Sequence, residues 1–122
     1  SKKDQKRILF LNDFFSTKIN SKTFSKKNLQ KVLYFNGKQS LFDLLYFQIF
    51  RSKKVDKELL AMIELFKDKE PPILPITANT LMTEYNIPEG KKLGVKLKEI
   101  EEKWVENNFE ISKLEVQKTI EN

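Results

Sequence analysis

One segment, Pro71 to Phe109, limits what this chain can fold into, because it holds all four prolines and two of the three glycines among 122 residues. Pro71, Pro72 and Pro75 each fix their own φ and push the preceding residue out of the helical region, so the chain must run extended there. Thr77 stands where an N-cap belongs, ahead of a short apolar helix with Leu81, Met82 and Tyr85 that Asn86 can close in the left-handed conformation. Ile87-Pro88-Glu89-Gly90 makes a second turn. From Lys91 onward, Leu93, Leu97, Ile100 and Trp104 recur at intervals of three and four, which predicts an amphipathic helix of about four turns.

The residues before this segment read as helices that receive it. From Asp4, Ile8, Leu11, Phe15 and Ile19 share one helical face, widened by Leu9, Phe10 and Phe14. After a polar break at Asn20 to Thr23, Ser25 can cap a helix running to about Phe35, which Asn36-Gly37 ends. Ser40 and Asp43 have the spacing of a capping box, and the helix they open carries Leu44, Leu45, Tyr46, Phe47, Ile49 and Phe50 around most of its circumference. That helix is the expected centre of the core. Asp56 caps a further helix with Leu59, Leu60, Ile63 and Phe66 inward, and Ser112 with Glu115 opens a last one beyond Asn107-Asn108. Phe109 and Ile111 are expected to tuck back against the core. No apolar-polar alternation persists, so the chain is predicted to be all-α, a single domain of about seven helices over residues 1–122.

Two missing residue types exclude whole classes of chemistry. Without cysteine or histidine the chain cannot form a disulfide scaffold, a cysteine nucleophile or a histidine-dependent triad. The net charge of +6 favours a polyanionic partner. No apolar run approaches the roughly 20 residues of a spanning helix, and the lysine-rich start is not followed by a signal-type hydrophobic region. A cytoplasmic protein without a membrane partner is therefore expected.

The arrangement Pro-Ile-Thr-Ala-Asn-Thr-Leu-Met, then Ile-Pro-Glu-Gly, then Gly94, Leu97 and Ile-Glu-Glu-Lys-Trp resembles the C-terminal tail of bacterial tRNA nucleotidyltransferases and poly(A) polymerases. Thr77, Leu81, Met82, Pro88, Gly90, Gly94, Leu97, Glu101 and Trp104 fall on that family's pattern, whereas Ala78 and Thr80 replace its usual glycine and aspartate. Leu33 to Gly37 and Asp43 to Leu45 extend the likeness more weakly toward the N-terminus. The resemblance implies an irregular, elongated helical array that holds tRNA or another RNA while a catalytic head domain, joined in cis or supplied in trans, adds nucleotides to the 3′ end. It further implies that the metal ion and nucleoside triphosphate belong to that head, which uses a glycine-serine turn and paired aspartates. This chain has no glycine-serine pair and no two aspartates one residue apart, so it holds neither cofactor and is not itself the enzyme.

The best candidate RNA contact is the basic start of the tryptophan helix, with Lys91, Lys92, Lys96 and Lys98 around a helix N-terminus. A second is the link containing Arg51, Lys53 and Lys54, where the charges also suit the preceding helix dipole. Glu99, Glu101, Glu102 and Glu106 alternate with lysines and read as a solvated face rather than metal ligands. Trp104 reads as core rather than as a base-stacking platform, since it lies on the Leu93, Leu97, Ile100 stripe. Gly94, costly inside a helix, is expected to permit close approach of the Leu81-Met82 helix. Two functions remain open: an RNA-holding tail, and a helical module that docks on a head domain or another subunit without binding RNA.

Overall fold

Regular structure is helical throughout the described residues, which are 1–17, 19–20, 22–52 and 56–122 of the computed structural model. Six helices occur there: α1 (Lys2–Ser16), α2 (Lys26–Arg51), α3 (Lys57–Phe66), α4 (Ala78–Glu84), α5 (Lys91–Glu106) and α6 (Lys113–Glu121). They fall into two units, Ser1–Pro71 with α1 to α3 and Pro72–Asn122 with α4 to α6. The proline segment lies at the division between these two compact units. An extended stretch offers no continuous apolar face, and the apolar residues on either side of it gather into separate cores.

In the first unit, α1 and α3 pack on α2 around Leu29, Val32, Leu33, Leu41, Leu44, Leu45, Leu59 and Phe66. The helix α2 is broken at Gly37, whose φ of 88° and ψ of 167° are not helical. The break sets the phase of the core. At about 100° per residue, the stripe of Leu29, Val32 and Leu33 and the stripe of Leu41, Leu44 and Leu45 would point about 120° apart on an unbroken helix. Turning the chain at Gly37 brings both stripes into one core. Counted as two arms, α2 restores the expected seven helical segments. The N-cap expected at Ser40 is absent, because the second arm is under way before it; Ser40 is buried inside the helix and Asp43 is engaged elsewhere. A side chain at Gly37 would meet no neighbour, but its backbone region is nearly exclusive to glycine. Gly37→Ala is expected to cost about 1–3 kcal/mol, read by chemical denaturation.

The inward face of α1 also differs from expectation. Phe10, Leu11, Phe14 and Phe15 pack on the core, while Ile8 and Leu9 are 59% and 65% exposed. Phe14 is the pivot, with Phe10, Phe15 and Phe24 at ring-centroid distances of 5.9, 5.4 and 5.9 Å. The second arm of α2 is likewise half open: Leu44 and Leu45 are fully buried, but Tyr46, Phe47 and Phe50 are exposed.

In the second unit, α4 and α6 pack on α5 around Leu81, Ile87, Leu93, Ile100 and Val116. The local signals hold here as expected. The Thr77 hydroxyl accepts the Thr80 N–H at 3.1 Å, Asn86 turns the chain with φ 56°, and Ile87 N–H returns to the Leu81 carbonyl at 3.2 Å. The Ser112 hydroxyl accepts the Glu115 N–H at 3.1 Å and opens α6. Asn108 and Phe109 adopt left-handed φ, which lays the Phe109 ring edge-on to Trp104 at 5.0 Å.

Candidate nucleic-acid interface

The residues expected to bind RNA fall out unevenly. Lys91 and Lys92 are the first two residues of α5, capped by Gly90 without a side-chain bond, and both are exposed. Lys98, further along α5, is exposed as well. Lys96 is not a surface residue: it is 7% exposed, donates from Nζ to the Thr119 carbonyl at 3.2 Å and lies 3.6 Å from the Glu99 carboxylate. Its position turns it inward, since residue 96 lies three beyond Leu93 and four before Ile100 and so shares their face. Its ammonium satisfies a carbonyl in the last turn of α6, and Lys103 donates to the Thr119 hydroxyl at 2.8 Å beside it. These two lysines join α5 to α6.

Arg51 closes α2, exposed, with its guanidinium 4.8 Å above the Phe15 ring, in cation–π range. Lys53 and Lys54 lie outside the described residues. Arg51 thus belongs to the first unit, and Lys91, Lys92 and Lys98 to the second. Trp104 is 2% exposed, which closes its ring faces to a base. Gly94 is exposed and an added Cβ would touch nothing within 4 Å, so it does not serve a close helix approach. Gly94→Ala is accordingly expected to stabilise the second unit by about 0.5–1 kcal/mol through helix propensity alone, seen as a higher melting temperature.

The motifs give no hint of how unevenly charge divides between the units. Ser1–Pro71 holds 16 Lys and Arg against 8 Asp and Glu, a net +8, leaving 7 against 9, a net −2, in Pro72–Asn122. All seven lysines of the second unit lie on α5 and α6, with Glu99, Glu101, Glu102, Glu106, Glu115 and Glu121 among them, and the acidic excess comes from Glu84, Glu89 and Glu110 outside those two helices. Among the described residues no three acidic side chains gather closely enough to hold a metal ion.

The basic unit carries a shallow cleft of about 210 Å³ lined by Lys22, Ser25, Lys27, Asn28 and Lys31. A sequence signal for it exists: from Phe14 to Phe42 there are 29 residues with six lysines and no aspartate or glutamate. Lys22, Lys26 and Lys27 are exposed and Lys31 is half-buried.

A second surface of this unit is apolar. Ile8, Leu11, Tyr46, Phe47 and Phe50 line an open groove of about 570 Å³ together with Asp4, Arg7 and Asp43. Arg7 grips both Asp43 oxygens, from Nε at 2.7 Å and from its NH2 nitrogen at 2.8 Å. That hydrogen bonding holds the Asp43 carboxyl below the usual carboxylate range, against the opposing effect of partial burial and with help from Gln39 at 3.3 Å.

No family model, curated protein or solved structure gives a match to this chain. No helix among the described residues is long and apolar enough to cross a membrane.

Proposed function

We propose that this chain is a non-catalytic, RNA-holding helical tail of a tRNA nucleotidyltransferase or poly(A) polymerase-like protein, working in the cytoplasm beside a head domain that performs nucleotide transfer. The observation that carries the RNA-binding part is the charge of the first unit, +8 over 71 residues. Such an excess attracts a phosphate backbone without requiring base-specific contacts. The family part rests on the pattern of Thr77, Leu81, Pro88, Gly90, Leu97 and Trp104. Those residues cap, turn and pack the second unit, so they speak for a shared way of folding more than for a shared contact with RNA.

The test is binding of the chain to fluorescent tRNA, with and without its 3′ end, over a salt series. Binding that ignores the 3′ end and falls linearly in log Kd against log salt fits a tail that holds the tRNA body. A folded chain that binds no tRNA at low salt sinks the reading. The alternative is a module that docks on a head domain or another subunit. It is favoured by the open apolar groove, where Phe50 is 87% exposed.

A further inference from the structure

The larger excess of positive charge lies on the first unit, not on the unit that carries the start of α5. We infer that the face formed by Lys22, Lys26, Lys27 and Lys31 is where this chain holds the RNA sugar-phosphate backbone, and that the start of α5 contributes little. The inference rests on the RNA-holding role proposed above and assigns it to particular residues.

Three observations converge on this face. The first is its charge, for the four lysines sit within the 29-residue stretch that lacks any acid, whereas Lys91, Lys92 and Lys98 belong to a unit with an acidic excess. A phosphate chain approaching α5 meets Glu89, Glu99, Glu101 and Glu102 close in sequence to those lysines, and opposing signs cancel at distances near the Debye length of about 8–10 Å. Lys22 to Lys31 have no acid beside them in sequence, Asp13 and Asp43 being the nearest. The second is the shape: Lys22, Lys27 and Lys31 border one concave surface that also holds the neutral hydrogen-bonding side chains of Ser25 and Asn28. Backbone phosphates are positioned by this mixture of Lys with Ser and Asn.

The third observation is rigidity. The turn that presents Lys22 is tied by Thr23 N–H to the Asn20 carbonyl (3.1 Å), Lys22 N–H to Asn20 Oδ1 (2.8 Å) and Asn20 N–H to Thr23 Oγ1 (2.9 Å). Asn28 Nδ2 donates to the Thr23 carbonyl at 2.7 Å, which locks the turn to α2, and the Phe24 ring anchors it against Phe14 of α1. The backbone that carries Lys22 is therefore fixed beside Lys26 and Lys27 before any ligand arrives, so less ordering is needed on binding. The helix end itself is not the attraction, because the Ser25 hydroxyl already takes the Asn28 N–H at 3.2 Å.

The experiment compares two variants of the full chain with the wild type in tRNA binding over a salt series. In one, Lys22, Lys26, Lys27 and Lys31 are each changed to Gln; in the other, Lys91, Lys92 and Lys98 are. The first is expected to weaken binding about tenfold or more and to flatten the salt slope by roughly 1 for each phosphate no longer neutralised, and the second to change affinity less than about twofold. Lysine acetylation footprinting of the wild type gives the same answer without substitution. Lys22, Lys26, Lys27 and Lys31 should become protected when tRNA is added, and Lys91 and Lys92 should not. Equal or greater weakening in the α5 variant, or protection confined to Lys91 and Lys92, overturns the assignment while leaving the RNA-holding role standing. Absence of any tRNA binding overturns both. Tighter binding to vesicles rich in anionic lipid than to tRNA, with the same lysines protected, overturns RNA as the ligand of this face.

Discussion

Phe66→Ala is expected to destabilise the first unit by about 3–5 kcal/mol. Phe66 ends α3, is fully buried in the core with Leu29, Leu41 and Leu45, and is among the largest side chains there. The α3 helix is only ten residues long and is held mainly by this ring and by Leu59, with Asp56 capping its start through two N–H bonds of 3.0 and 3.1 Å. Removing the ring leaves a cavity that the short helix cannot close without pulling Leu59 out of place, and Lys69, whose ammonium lies 5.5 Å from the ring centroid, is left without its seat as well. A domain of this size has total stability near the low end of about 5–15 kcal/mol, so the variant should be close to unfolded at room temperature. Denaturation followed by far-UV circular dichroism reads the change. Phe66→Leu should retain most of the stability, at a cost of about 1–1.5 kcal/mol.

Trp104→Ala is the corresponding change in the second unit, with an expected cost of about 3–5 kcal/mol. The indole is 2% exposed, Phe109 meets it edge-on, and the Phe109 N–H bonds the Trp104 carbonyl at 2.7 Å. Loss of the indole therefore leaves both the α5 face and the reversal into α6 without support. Because this is the chain's only tryptophan, its fluorescence reports on the unit directly. Emission should be blue-shifted and resistant to acrylamide in the folded chain. It should also be unchanged by tRNA, since a buried ring cannot stack on a base; strong quenching by tRNA would contradict the buried placement.

The sequence is most legible where a structural cause is local. Ser25, Asp56, Thr77 and Ser112 cap the helices they precede, and Asn86 turns the chain after α4, because each acts on backbone groups only a few residues away. The stripe of Leu93, Ile100 and Trp104 is equally plain. Where a distant residue decides, legibility fails. Ser40 and Asp43 have the spacing of a cap, but Gly37 breaks the helix three residues earlier and Arg7 claims the Asp43 carboxylate from 36 positions away. Ile8 satisfies the period of α1, yet the aromatic cluster around Phe14 rotates the packed face away from it. Among the candidate site residues, Lys96 is misplaced for a different reason. Its spacing from Leu93 and Ile100 is visible in the sequence and marks it as inward, but a lysine's charge argues the other way, and the carbonyl that resolves the conflict belongs to α6. The basic face of the first unit lies in view as the acid-free stretch, and the unit boundary at Pro71 gives it meaning by separating its charge from the net −2 of Pro72–Asn122.

That boundary also changes what the isoelectric point near 9.4 describes. It belongs to the sum of a strongly cationic half, net +8, and a mildly anionic one, net −2. A long polyanion draws in Ser1–Pro71 and repels Pro72–Asn122 through the same field. The chain is in this sense amphoteric, and the long-range pull of a polyanion falls on one half of it rather than on the whole.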